Sequence, residues 1–149
     1  MRVQLDVSEK YYKEIEDKLK AADFELDDDG EFLFSEKDRF ASDFILKDGR
    51  GEKVQVSADD IVFIESIGHD IIVHTAEEKY MSAIPLYRFC MVLDENRFAR
   101  VSNCAIIAKT QIKKIRPALS MKFVLTMSEG SLVDVTRSYY SAFRKFMGI

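Results

Sequence analysis

The 149 residues contain no tryptophan and only two each of cysteine, histidine and proline. Cys90 and Cys104 lie too far apart for a CxxC pair, and two histidines do not complete a four-ligand zinc set. Both cysteines are expected to be reduced core residues, as in a cytoplasmic protein. No apolar run approaches the roughly 20 residues that span a membrane, and the opening "MRVQLDVSEK" lacks the apolar core of a signal peptide. The cytoplasm is therefore the expected address. With 47% apolar and 32% charged residues and only 6 glycines, the composition is that of neither a disordered nor a collagen-like chain. Catalytic parts are missing too: the sequence orients no nucleophile and base, carboxylate pair or phosphate cradle. The Gly-x-Gly of "KDGRGEK" does not lead from a strand into a helix and is better explained as a hairpin turn. The expectation is a protein that is not an enzyme, with no cofactor, no metal and no small-molecule substrate.

What is present is a charge gradient. The net charge is −4, but acids dominate the first 60 residues, and from Arg97 onward ten Lys or Arg face only Glu129 and Asp134. Partners feel local fields rather than the sum, so an acidic front half is joined to a basic back half. Arg100, Lys109, Lys113, Lys114 and Arg116 are interleaved with strand-forming residues, and Arg137 stands where a strand gives way to a helix. Such side chains at strand ends and loops suit phosphate contact, although a solvated charged face has the same composition.

Along the chain, "RVQLDV" alternates Val3, Leu5 and Val7 with polar residues, the period of a half-buried strand. Ser8 offers an N-cap for a helix carrying Tyr11 or Tyr12, Ile15, Leu19 and Ala22 on one face. "FELDDDGEFLF" predicts a hairpin turned by Asp-Asp-Asp-Gly. In the same segment Glu25, Asp27, Asp29, Gly30 and Glu36 match a calcium-loop spacing, but without a second loop a solvated acidic turn is preferred. "SEKDRFASD" is expected to be a loop or short helix, followed by a second hairpin, "FILKDGRGEKVQVS", and strands "IVFIESI", "DIIVHT" and "KYMS". Pro85 starts a short helix with Leu86, Phe89, Cys90 and Leu93 on one face. "FARVS", "CAIIA", "IKKIR", "MKFVLTM" and "SLVDV" read as strands, and "RSYYSAFRKFMG" as a closing helix. Within "VFIESIGHDIIVHT" His69 sits at the tip of a tight turn, where packing does not need it; His74 is expected to face solvent or a polar neighbour.

In order, "VQVSADDIVFIESIGHDIIVHT", "AIPLYRFCMVLDENRFARVSNCAII" and "VLTMSEGSLVDVTRSYYSAFRKF" resemble the LytTR family of bacterial DNA-binding domains over roughly residues 43 to 147. The resemblance implies a mainly β fold: LytTR-like antiparallel sheets with short helices, preceded by a small α+β N-terminal extension. It divides the chain into a strand-helix-hairpin extension over 1–42, suited to dimerisation, and a DNA-binding domain over 43–149. It also implies a domain that reads double-stranded DNA with loops, two of which enter successive major grooves. By that match His69, Asn103 and Arg137 fall on DNA base-reading positions, with Arg100, Lys109, Lys113, Lys114 and Arg116 assigned to backbone contact. The family's "HRS" is replaced by Ser102, Asn103 and Cys104, and its "VN" by Ile107 and Ala108, so the preferred sequence is expected to differ from that of relatives.

The roughly 40 residues ahead of the domain are too few for a receiver domain, which points to a stand-alone transcription regulator, homodimeric, with a membrane-protein inhibitor as a further partner. The competing expectation is a protein-protein interaction module that has lost DNA binding and meets its partner through the acidic half.

Overall fold

The computed structural model describes residues 1 to 36 and 40 to 149. It divides into two compact units, Met1–Phe40 and Ala41–Ile149. The expected loop or short helix of "SEKDRFASD" falls in part on residues 37 to 39, outside the described residues.

In the first unit, β1 (Arg2–Asp6) leads into α1 (Glu9–Ala21), and two short strands follow, β2 (Glu25–Leu26) and β3 (Phe32–Ser35). Val3 and Val7 are buried, as the alternation predicts. Ser8 is extended and makes no side-chain cap; instead its backbone N–H donates to Glu36 Oε2 at 2.9 Å. At its other end α1 closes with Asp23 in the left-handed region (φ 65°). There Phe24 N–H returns to the Leu19 carbonyl at 3.0 Å and Asp23 N–H to that of Lys20 at 3.1 Å, a Schellman stop that Asp tolerates better than most residues.

The expected hairpin at "FELDDDGEFLF" is not formed. β2 and β3 lie on opposite sides of β1 and both run parallel to it. The Asp-rich segment between them crosses β1 rather than reversing beside it. Gly30 marks the crossing, because a Cβ there would stand 2.8 Å from Gln4 N and 2.9 Å from Val3 N. Glycine is needed for close approach to the backbone, not for a turn angle. The acids there are engaged locally: Asp27 Oδ1 accepts from Asp29 N–H at 2.9 Å, while Arg2 bonds Asp27 and Glu31. The hydrogen bond from Arg2 holds the Glu31 carboxyl below its ordinary range.

The second unit begins with the antiparallel pair β4 (Asp43–Lys47) and β5 (Lys53–Ser57), turned at Asp48 to Gly51 as expected. β6 (Ile61–Ile67), β7 (Asp70–Thr75) and β8 (Lys79–Ser82) follow, then α2 (Leu86–Val92), β9 (Phe98–Ser102) and β10 (Ala105–Ala108). These strands form one seven-stranded sheet in the order β5-β4-β8-β7-β6-β10-β9, with every neighbouring pair antiparallel. β11 (Ile112–Ala118), β12 (Lys122–Met127) and β13 (Leu132–Val135) make a second antiparallel sheet. A 3-10 turn (Arg137–Tyr139) then opens α3 (Tyr140–Met147), which ends at Gly148 with φ 72°.

β6 is apolar from Ile61 to Ile64 because both of its faces are covered. Ile61 and Ile64 join Phe44, Leu46, Leu86, Phe89 and Leu93 in a core under α2. Val62 and Phe63 join Ile107, Leu125, Val135 and Phe143 in a second core, formed with the three-stranded sheet and α3. The large sheet is thus sandwiched over part of its width.

The two cysteines depart from expectation. Cys90 and Cys104 are free but exposed rather than core residues: Cys90 follows the buried Phe89 by a step of about 100° around α2, and Cys104 sits in a turn. His74 does find a polar neighbour, but it is buried. It stacks on Phe63 with ring centroids 3.9 Å apart and its Nε2 lies 2.7 Å from Glu65 Oε1. Among the described residues no helix is long and apolar enough to cross a membrane.

Candidate nucleic-acid interface

His69 is presented by the β6–β7 hairpin. Ile67 pairs with Asp70, leaving Gly68 and His69 as the two turn residues. Gly68 has φ 61° and His69 does not share the positive sign, the pattern of a type II′ turn with glycine first. A Cβ on Gly68 would meet nothing within 4 Å, so it is the dihedral and not space that demands glycine. The turn leaves the imidazole exposed. At the base of the hairpin, Glu65 and His74 bridge the two strands and fix their splay.

Asn103 is held in the turn between β9 and β10. Ser102 pairs with Ala105, so Asn103 and Cys104 form the tip. Ser102 Oγ accepts from Cys104 N–H at 3.2 Å, a side-chain substitute for a backbone turn bond. Arg100 reaches back along its strand, donating from Nε to the Ser102 carbonyl at 3.1 Å and from Nη2 to the Asn103 carbonyl at 2.7 Å.

Arg137 begins the 3-10 turn that follows β13. It is exposed, and this segment is tied to β9 because Thr136 N–H donates to the Val101 carbonyl at 2.9 Å. Two further bonds join the three turns. Ser66 N–H donates to the Cys104 carbonyl at 2.8 Å, linking the hairpin of His69 to the turn of Asn103. Tyr139 Oη donates to Asn103 Oδ1 at 3.1 Å, linking that turn to the segment of Arg137. Residues 69, 103 and 137, far apart in sequence, thus stand on one bonded edge of the second unit.

Residues 51 to 148 match the family model described as the LytTr DNA-binding domain. The chain belongs to the LytTR family. It is 30% identical over 96 residues to the sensory transduction protein LytT of Bacillus anthracis, covering 64% of this chain and 39% of that protein. Against the sensory transduction protein LytR of Staphylococcus haemolyticus it is 26% identical over 99 residues, or 66% of this chain and 39% of that one. The chain therefore spans well under half the length of these relatives. In structure it is similar to a LytTr DNA-binding domain from Bacillus cereus, with a TM-score of 0.69, 28% identity, and coverage of 73% of this chain and 99% of that one.

The five cations expected at backbone contacts do not lie together in this LytTR domain. Arg100 belongs to the bonded edge, where it braces the Asn103 turn. Lys109 follows the far end of β10, with its ammonium 5.3 Å from the centre of the Phe146 ring. Lys113, Lys114 and Arg116 are exposed on β11, an edge strand; Lys114 and Arg116 flank the half-buried Ile115 and so share the outer face. Pro117 pairs with Phe123 and Phe123 with Val135, so the end of β11 beyond Arg116 lies level with the segment of Arg137. There β11 turns into β12 through Leu119, which is 90% exposed, and through Ser120 and Met121, both at positive φ. Arg97 is occupied elsewhere, paired with Asp59.

Sequence reasoning missed Tyr139. Its only signal was position, two residues beyond Arg137, and a partner 36 residues away cannot be seen from spacing.

Proposed function

We propose that this LytTR chain is a transcription regulator that binds duplex DNA sequence-specifically, with His69, Asn103 and Arg137 in contact with the bases. The observation that carries the reading is the bonded edge on which the turns of all three meet. The three side chains have the chemistry that base edges require. Arg pairs with guanine O6 and N7, an imidazole N–H donates to a base acceptor, and Asn offers a short amide. Arg100, Lys109, Lys113, Lys114 and Arg116 supply phosphate contact in this reading, with Arg116 nearer to the edge along β11 than Lys113 or Lys114.

The test is fluorescence anisotropy on a duplex selected from a randomised pool, across a salt series. Log affinity is expected to fall against log salt by about 0.9 for each phosphate contacted, and Arg116→Ala to flatten that slope by about one unit on every sequence alike. A slope near zero would leave the basic residues without a DNA role.

The regulator is further proposed to act as a homodimer through the first unit. Among the described residues β3 has a single neighbour, β1, and Phe32, Leu33 and Phe34 are 54%, 58% and 42% exposed. Phe32 and Phe34 pair in register with Val3 and Leu5, so both rings lie on one face. An open, apolar edge strand invites another strand, and a second copy brings an identical edge that satisfies both at once. Phe34→Lys, a charge of the kind that blocks edge pairing, is expected to give a monomer in sedimentation analysis while binding to a single half-site persists. An unchanged sedimentation coefficient for Phe34→Lys would remove β3 from the dimer.

A further inference from the structure

We infer that Tyr139 sets the orientation of the Asn103 amide, so that its NH2 group is the end that meets DNA. This rests on the proposed role of Asn103 in DNA contact and names the chemistry of that contact. Tyr139 Oη donates to Asn103 Oδ1 at 3.1 Å. A carboxamide is planar, with oxygen and nitrogen on separate arms of a trigonal carbon. Holding Oδ1 against the phenol therefore turns the NH2 group away from Tyr139.

The backbone that carries the amide is held as well. The main-chain carbonyls of Ser102 and Asn103 both accept from Arg100, at 3.1 and 2.7 Å. Tyr139 is itself anchored: its backbone N–H donates to the Thr136 carbonyl at 3.0 Å, and the residue is half-buried against the second core. Arg100 thus sets the turn, and Tyr139 sets the amide within it. Tyr139 is a positioning residue in this scheme, since its hydroxyl acts through Asn103.

The consequence is chemical selectivity. An asparagine that reads adenine in the major groove uses both ends of its amide, accepting from N6 and donating to N7. With Tyr139 holding one of the two acceptor sites of Oδ1 and fixing the amide plane, Asn103 is expected to meet DNA through its NH2 group rather than by that paired contact. What the outward NH2 seeks is a hydrogen-bond acceptor. Duplex DNA offers three kinds: purine N3 or pyrimidine O2 in the minor groove, purine N7, guanine O6 or thymine O4 in the major groove, and phosphate oxygens.

The experiment uses the full chain and a duplex selected from a randomised pool, with single-atom changes scanned through the site. Replacing a purine by its 3-deaza analogue removes a minor-groove acceptor, its 7-deaza analogue removes a major-groove one, sulfur in place of a base carbonyl oxygen weakens that acceptor, and a methylphosphonate alters one phosphate. The expected result is that one of these changes weakens wild-type binding by about 3- to 10-fold and has no effect on Asn103→Ala, which identifies the acceptor. At every adenine, removing the N6 amino group is expected to have the same effect on wild type and on Asn103→Ala. Asn103→Asp keeps an oxygen for Tyr139 but loses the donor, and is expected to bind no better than Asn103→Ala. Tyr139→Phe is expected to lose the discrimination at that same acceptor, with the double variant Tyr139→Phe, Asn103→Ala no weaker than Asn103→Ala alone. A merely structural role for Tyr139 would not select one acceptor. The inference is overturned if Tyr139→Phe keeps wild-type discrimination, if its losses add to those of Asn103→Ala, or if N6 removal proves to be the change that depends on Asn103. Binding by wild type with no acceptor dependent on Asn103 overturns it as well. Absence of any DNA binding by wild type defeats the underlying reading instead, and is recognised by the flat response to every duplex.

Discussion

Arg137→Ala is expected to weaken binding to the preferred duplex by about 1 to 3 kcal/mol, roughly 5- to 150-fold, and to relax specificity at one base pair. Binding to a scrambled duplex should change far less, because a base reader contributes to the difference between sequences and not to the common electrostatic term. Placement is what sets this expectation. Arg137 is the first residue of the 3-10 turn, exposed, and carried by a segment that Thr136 bonds to β9. Its backbone is therefore fixed while its side chain extends outward, which lowers the conformational cost of contact. Competition anisotropy with singly substituted duplexes measures both the loss and the position at which specificity relaxes. Equal losses on preferred and scrambled DNA would make Arg137 a phosphate contact.

Phe143→Ala is expected to cost about 3 to 5 kcal/mol of the second unit's stability, read as a lower midpoint in urea unfolding. Phe143 is 1% exposed and meets Phe123 with ring centroids 5.5 Å apart. Truncation removes the ring from the centre of the core shared by β12, β13 and α3, where β-sheet neighbours cannot collapse to refill the space. Domains of this size hold roughly 5 to 15 kcal/mol in total, so a loss of this size leaves a marginal fold. Because α3 continues directly from the turn bearing Arg137 and Tyr139, DNA binding should fail at a lower temperature in the same variant. Leu132→Ala, at a side chain 66% exposed, is the matched control and should stay within about 0.5 kcal/mol of wild type.

Much of the second unit was legible because its signals are local. Alternation and β-branched runs located its strands, Pro85 located α2, and Gly68 beside His69 marked a tight turn whose tip had no packing reason to be histidine. The order of those segments carried the resemblance to LytTR domains, which no single segment carries. What escaped were properties set by distant chain. Asp-Asp-Asp-Gly has the composition of a hairpin turn, but turn chemistry does not specify strand direction, and Gly30 is glycine because β1 passes 2.8 Å from where its Cβ would be. His74 was ambiguous because alternation assigns a face without saying whether that face is covered; in a strand paired with the doubly covered β6, both faces can be interior. The two cysteines were placed in the core by residue type alone, whereas a helix phase and a turn decide their exposure. The Tyr139–Asn103 bond spans 36 residues and exists only once β13 has been laid beside β9.

The central claim is that one edge of the second unit, built from the turns of His69, Asn103 and Arg137, meets DNA. Backbone amide NMR of the full chain titrated with a selected duplex tests it most directly. Shifts are expected to concentrate at residues 66–70, 102–105 and 136–140, with smaller ones along β11 and little change in Met1–Phe40. Shifts confined to the acidic first unit, or none with any duplex, would contradict the claim and favour a protein-interaction module whose partner is not DNA.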